Sequence, residues 1–396
     1  MHFSAIQRIP GDSILSLMDA YARDPNPRKF DLGVGVYKDA QGLTPVLSAV
    51  KQAERFLLDH QTSKTYVSGH GDQAFGRLVS ELVLGKDSPL LAHERAGATQ
   101  TPGGTGALRL AGEFIAHCLP GKGIWLSDPT WPIHESIFAA VGLKVNHYPY
   151  VGRDNRLDME AMLLALEDIP RGDVLLLHAC CHNPTGFDLR HNDWHRVLDV
   201  AKRRELLPLI DFAYQGFGDG LNEDAWGVRL FAKELPELLV TSSCSKNFGL
   251  YRERTGALIA CTHTAEQLLD VRSQLAGLAR NLWSTPPDHG AAVVATILGD
   301  AQLKSLWADE VEHMRSRIAQ LRAGLVEALG PHGLSARFAH IGEQRGMFSY
   351  TGLSPEQVDR LRDEHSVYMV RSGRANVAGI DASRLDELAA ALAKVC

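Results

Sequence analysis

The chain has 396 residues, 45% of them apolar and 22% charged, with a formal net charge of −6. It is long enough to bury a large core, and its composition is ordinary for a soluble globular protein. No block of like charge supports a nucleic-acid or membrane partner, and the six cysteines follow neither a CxxC nor a zinc-binding spacing.

The first stretch, MHFSAIQRIPGDSILSLMDAYARDP, does not read as a secretory leader, because Pro10, Gly11 and Asp12 fall where an apolar core would run. Nothing approaches the length of a membrane span, so a cytoplasmic protein with free thiols is expected. Residues 1–12 read as an N-terminal arm. Residues 13–44, with the Gly-rich DLGVGVYKD, and 311–396 read as a small α/β domain around a large domain at 45–310. Within the large domain, TPGGTGALRLAGEFIAHCL (101–119) sets Gly103, Gly104 and Gly106 around Thr105, ahead of an amphipathic helix. Such a turn offers backbone N–H groups to an anion, although it is neither a GxGxxG fingerprint nor a P-loop. Buried strands are predicted over 123–131, 144–150, 173–181, 206–214 and 238–245, from their length and branched apolar content. Helical patterns lie between them, such as 190–206, with Asn192 or Asp193 as cap. This alternation predicts an α/β fold with a mostly parallel central sheet, helices on both faces, and a ligand crevice beyond the carboxyl ends of the strands. Further on, a long helix is predicted over 306–329, and strands over 346–353 and 367–380 around a turn.

The unusual residues gather at the predicted strand ends. Asp128 and Trp131 follow one strand, and His182 and Asn183 another. Asp211 and Tyr214 close a third, and Ser243, Ser245 and Lys246 a fourth. Lys246 is the one lysine in TSSCSKNFGLY (241–251), among small hydroxyl residues. Arg254 suits bidentate phosphate contact and, with Thr105, Ser243 and the helix N-terminus, can complete a phosphate cup. Alone it reads as a surface arginine. Asp211 ends a strongly apolar strand, where a carboxylate needs a partner. It is either a helix cap or the partner of a ring cation. His134 is a candidate support for it, or else a satisfied core histidine. Tyr214 and Asn183 can reach a ring hydroxylate, and Trp131 offers a stacking face. Together these groups describe a site for pyridoxal 5′-phosphate, with Lys246 forming an imine with its aldehyde. A free amine at its reference pKa of about 10.4 lies about 4–5 kcal/mol from neutrality at pH 7; the imine avoids a permanent buried ammonium.

The segments CCHNPTG (180–186), DFAYQGF (211–217), SSCSKNFGLY (242–251), GVGVYKD (33–39) and SGRANVAG (372–379) resemble, in order and over essentially the whole chain, the aspartate/aromatic aminotransferases of fold type I. The likeness is strongest to the bacterial aromatic amino-acid aminotransferases. It implies a homodimer with two active sites at the subunit interface. It implies Lys246 as covalent anchor and proton carrier, and Asp211 at the pyridine nitrogen, with His134 behind it. Asn183 and Tyr214 fall at the 3′-oxygen, Trp131 on the ring, and Gly104, Thr105, Ser243 and Arg254 at the phosphate. Tyr66 would reach the neighbouring subunit's phosphate. Arg374 would clamp the substrate α-carboxylate, with Gly35, Asn183 and Trp131 close by, and Arg280 would come from the other subunit to a distal carboxylate. The implied activity is ping-pong transamination, through pyridoxamine phosphate, of tyrosine and phenylalanine and of aspartate and glutamate, with 2-oxoglutarate as acceptor. Val36, Lys38, Thr44 and Thr105 match the aspartate type. Trp283 and Thr285 depart from it, standing where aspartate-preferring relatives commonly have Tyr and Asn. A mainly aspartate enzyme is therefore the alternative; a pyridoxal-phosphate lyase or decarboxylase, which need not keep Arg280 beside Arg374, is a weaker one. Cys244 and Arg371 have no part in this chemistry.

Overall fold

The computed structural model describes residues 2–4, 6–7, 13–152 and 154–396, so most of the expected arm at 1–12 lies outside the described residues. The chain divides into two compact units. One comprises Met1–Leu43, Ile318–Glu343 and Met347–Cys396; the other comprises Thr44–Arg317 and Gln344–Gly346.

In chain order the strands are β1 (Phe30–Asp31), β2 (Ala96–Pro102), β3 (Gly123–Asp128), β4 (Lys144–Pro149), β5 (Val174–His178), β6 (Leu207–Phe212), β7 (Leu238–Ser243), β8 (Thr255–Cys261), β9 (Phe348–Tyr350), β10 (Val367–Tyr368) and β11 (Arg374–Asn376). The larger unit holds one sheet, ordered β2–β8–β7–β6–β5–β3–β4. Strands β3 to β7 run parallel, and β8 is antiparallel to both its neighbours. The five predicted strands are all present, each somewhat shorter than its apolar run. Strand β7 is buried along its whole length, as expected for a strand covered on both faces. One face packs on the helix Gly103–Cys118, whose Leu108, Ala111 and Ile115 meet Leu126, Leu176, Leu209 and Leu258 of the sheet. The 190–206 helix runs His191–Arg203. Neither expected residue is its N-cap. Arg190 holds that place, and Asp193 acts from inside the first turn, accepting from Arg190 N at 3.0 Å.

The smaller unit has its own core, including Leu321, Leu325, Phe338, Leu361, Val367 and Leu392. The expected strand over 367–380 is divided. Val367–Tyr368 pairs in parallel with β1, while Arg374–Asn376 pairs antiparallel with β9. Val377–Gly379 then turns as a short 3-10 helix. The Asn376 amide donates to Val34 O (2.6 Å) and Val36 O (2.8 Å), fixing the 33–36 loop against β11. The long helix spans Ala301–Ala328. Arg371 makes an exposed pair with Asp359 at 3.1 Å, an ordinary surface contact. No helix among the described residues is long and apolar enough to cross a membrane.

Candidate active site

The site in the larger unit is assembled at the carboxyl ends of β3, β5, β6 and β7. Register places His178 opposite Asp211, and Asp211 opposite Thr241. The Thr241 hydroxyl donates to Asp211 Oδ1 at 2.9 Å, and His134 Nε2 lies 3.2 Å from Oδ2. Burial works against ionisation of Asp211, but the hydrogen bond and electrostatic pull of His134, with smaller contributions from His178 and the Thr241 hydroxyl, outweigh it, so its carboxyl sits below the usual range. Behind His134, Thr130 Oγ1 is 2.9 Å from its Nδ1 and 3.2 Å from His178 Nε2. One proton order satisfies the whole chain: His178 donates to Thr130, Thr130 to His134, and His134 to Asp211. Burial and the neighbouring His134 push His178 down to about 3, against the pull of Asp211. The His178 ring lies 4.1 Å from that of His182, which stacks on Tyr150 at 4.0 Å.

Lys246 follows β7 and is partly buried. Its Nζ sits over the Tyr214 ring, 4.7 Å from the centroid. Burial lowers its pKa to about 8, with Asp211 pulling upward and Arg254 pushing further down. Cys244, two residues earlier, is fully packed, and burial raises its thiol to about 12. It is filling, with no polar task. Asn183 is 5% exposed and its Oδ1 has no protein partner. The preceding turn is held by the Asp188 carboxylate, which accepts from Cys181 N (2.7 Å) and His182 N (2.8 Å). Trp131 meets His134 edge-on, with ring centroids 5.2 Å apart.

The arrangement of the candidate phosphate-binding residues depends on β8. Because β8 lies between β2 and β7, its start adjoins the ends of both: Pro102 pairs with Thr255 and Ser243 with Gly256. That brings Gly103 and Gly104, Ser243 and Arg254 to one place. A Cβ at Gly103, where φ is +72°, would stand 2.7 Å from Arg254 Nη2, and one at Gly104 would stand 3.1 Å from Ser243 Cβ. Thr105 is exposed in the first helical turn. Arg254 Nη1 is also 3.5 Å from Ser245 Oγ. Ser245 therefore joins this group, although its place in the sequence alone gives it no phosphate role.

Four candidate residues lie elsewhere. In the smaller unit Arg374 is 4% exposed, donates to Gly33 O at 2.8 Å, and holds its guanidinium 4.4 Å over the Phe348 ring. Gly35 leaves room for the same ring, since its Cβ would come within 2.8 Å of Phe348 Cζ. Tyr66 is 88% exposed. Arg280 is exposed and donates to Ser284 Oγ at 2.9 Å. Tyr66 and Arg280 are thus surface residues of the single chain.

Pyridoxal phosphate fits this donor set. The glycine turn allows close backbone approach, a buried amide oxygen at Asn183 lacks a partner, and an ionised Asp211 is oriented from behind.

Comparison with known proteins agrees with the geometry. Residues 27–392 match the family described as aminotransferase class I and II. The chain is 74% identical to an aromatic-amino-acid aminotransferase of Pseudomonas aeruginosa, covering 100% of this chain and 99% of that one. It is 46% identical to an aspartate aminotransferase of Escherichia coli, covering 99% and 100%. A crystal structure of the aromatic-amino-acid aminotransferase from Burkholderia pseudomallei, covalently bound to pyridoxal phosphate, superposes with a TM-score of 0.97 at 43% identity, covering 100% of this chain and 99% of that one. The chain belongs to the class I and II aminotransferases.

Proposed function

We propose that this chain is a pyridoxal-phosphate aminotransferase of tyrosine and phenylalanine that also uses aspartate and glutamate, with 2-oxoglutarate as acceptor. It works by ping-pong exchange, as a cytoplasmic homodimer with active sites shared between subunits. The observation that carries the chemistry is the placement of Lys246 directly after β7, with its Nζ over the Tyr214 ring and Asp211 at the end of the adjacent strand. The aromatic preference is supported by the 74% identity to the Pseudomonas enzyme.

When bound, pyridoxal phosphate supplies an aldehyde for amino-group capture and a ring that draws electrons from the substrate α-carbon. The Asp211 carboxylate, oriented by His134 and Thr241, would hold the ring nitrogen protonated. Asn183 and Tyr214 would hold the ring oxygen, and Trp131 would cover the ring face. Gly104, Thr105, Ser243, Ser245 and Arg254 would hold the phosphate, joined by Tyr66 from the second copy. Burial lowers the Lys246 amine below an ordinary lysine, which favours its neutral, proton-accepting form. Lys246 Nζ would accept the proton from the substrate α-carbon and carry it for return in the same half-reaction. Arg374 clamps the α-carboxylate, with Gly35 leaving space beside it, and Arg280 of the second copy meets a distal carboxylate.

The test is kcat/KM for tyrosine, phenylalanine and aspartate, together with parallel double-reciprocal lines. A mainly aspartate enzyme is the second reading, favoured by Arg280 and by the 46% identity to the Escherichia coli enzyme. A preference for aspartate over both aromatic substrates establishes it instead.

A further inference from the structure

The loop that carries Lys246, residues 244–254, joins the antiparallel strands β7 and β8. Its local bonds include Cys244 N to Thr255 O at 3.0 Å and Gly249 N to Lys246 O at 3.0 Å, with Gly249 in the left-handed region at φ +65°. The residue directly after the lysine, Asn247, is 3% exposed, and its side-chain oxygen is buried with no partner. Asn247 is held through its backbone instead. Trp307 Nε1 donates to Asn247 O at 2.8 Å, from sixty residues further along the chain. The Trp307 ring also lies flat on that of Phe248, with centroids 4.4 Å apart and planes 9° apart. Trp307 is 0% and Phe248 1% exposed.

We infer that Trp307 is a positioning residue for Lys246: its indole N–H fixes the peptide after the lysine, so that Nζ stays over the Tyr214 ring in the field of Asp211 and Arg254. The inference rests on the reading of Lys246 as proton carrier. A buried carbonyl needs a donor, and a phenylalanine at 307 can supply the stacking surface but not the bond. The lysine side chain is long and flexible, so its backbone sets where the amine can dwell. A misplacement of about 1 Å at a reacting group can cost on the order of 100-fold in rate.

The test uses Trp307→Phe, and a chain in which the Trp307 indole N–H alone is replaced by sulfur (benzothienylalanine), which keeps the ring shape. Two quantities are read. One is the pH midpoint of Lys246 acylation in the full-length protein before cofactor loading, located by mass spectrometry. The other is kcat and KM for tyrosine in the loaded enzyme. The wild-type midpoint is expected near 8. Both variants should move it upward toward an ordinary lysine. They should lower kcat by about 10-fold or more with KM within about threefold, as loss of a transition-state alignment does. An unchanged midpoint with kcat within about twofold, whatever the thermal stability, overturns the inference and leaves Trp307 a packing residue. If Trp307→Phe does not fold, the sulfur variant decides. Failure of the underlying reading looks different: Lys246→Ala then keeps full turnover, while the acylation midpoint still reports on Trp307.

Discussion

Asp211 and Arg254 act on the Lys246 amine in opposite senses, and each effect can be measured. Asp211 favours the ammonium and Arg254 disfavours it, while burial sets the overall depression. In protein without cofactor, Lys246 acylation should rise through about pH 8. Asp211→Asn should shift that midpoint down, and Arg254→Gln should shift it up. Movement in the same direction for both contradicts this electrostatic account. His178 gives a second pH signature. Its folded value is about 3 against an ordinary 6.5, so it is neutral in the native state. Its contribution to stability is fully present above about pH 6.5. That contribution is lost as pH falls from there through the folded value, at about 1.4 kcal/mol for each pH step of one. His178→Gln should flatten the acid limb of a stability–pH profile; an unaltered limb shows that His178 is already charged in the native protein. Lys246, Asp211 and Asn183 stood out in the sequence because each is chemically out of place at or just past the end of an apolar strand, whereas His134, in the helix Ile133–Ala140, could also be read as a satisfied core histidine. Thr130, Thr241 and His178 were not assigned parts, because their partnership with Asp211 depends on strand register and on a turn closing back over it. Ser245 carried a signal, a second hydroxyl two residues from Ser243, whose meaning depends on where Arg254 lies.

Strand β8 decides whether the proposed phosphate cup can form. Its antiparallel course between β2 and β7 gathers Gly103, Ser243 and Arg254, and Gly256 is what lets it approach. A Cβ at Gly256 would lie 2.6 Å from Gly103 C and 2.7 Å from Ser242 O, both backbone atoms that cannot step aside. Gly256→Ala should therefore cost about 1–3 kcal/mol and weaken pyridoxal-phosphate binding, measured by equilibrium titration. Unchanged affinity contradicts the role given to β8. A structural control is Gly227, where a Cβ would fall 2.3 Å from Trp194 Cε2. Gly227→Ala should lower thermal stability with little effect on cofactor affinity in the protein that remains folded. The parallel strands could be read from continuous branched apolar runs. Strand β2, AGATQTP, could not, because it has few branched apolar residues and owes its place to pairing with β8. In the smaller unit the 367–380 run was too long for one strand. Gly373, at φ +88°, follows β10, and the pairing partner changes from β1 to β9 across it.

At the scale of the molecule, Arg280 and Tyr66 are exposed in the single chain although the proposed chemistry needs both. The proposed second copy would resolve this, and mixing variants tests it. Lys246→Ala and Arg280→Ala chains, refolded together, form hybrid dimers in which one of two sites is intact. With random pairing in a two-fold dimer, about a quarter of wild-type activity toward aspartate should return. No recovery in verified hybrid dimers contradicts shared sites. The likeness of motifs along the chain made the two-copy arrangement an expectation, because nothing in local residue pattern indicates which arginine serves a neighbouring subunit. The central claim is that the loaded enzyme, with its cofactor as the amine, stores the amino group between two half-reactions. The most direct measurement mixes the pyridoxal-phosphate-loaded enzyme with tyrosine, without any acceptor, and follows 2-oxo acid release beside the cofactor absorbance. The account predicts one equivalent of 2-oxo acid per site, a matching spectral change reversed by 2-oxoglutarate, and neither in Lys246→Ala. Release only after an acceptor is added would contradict it.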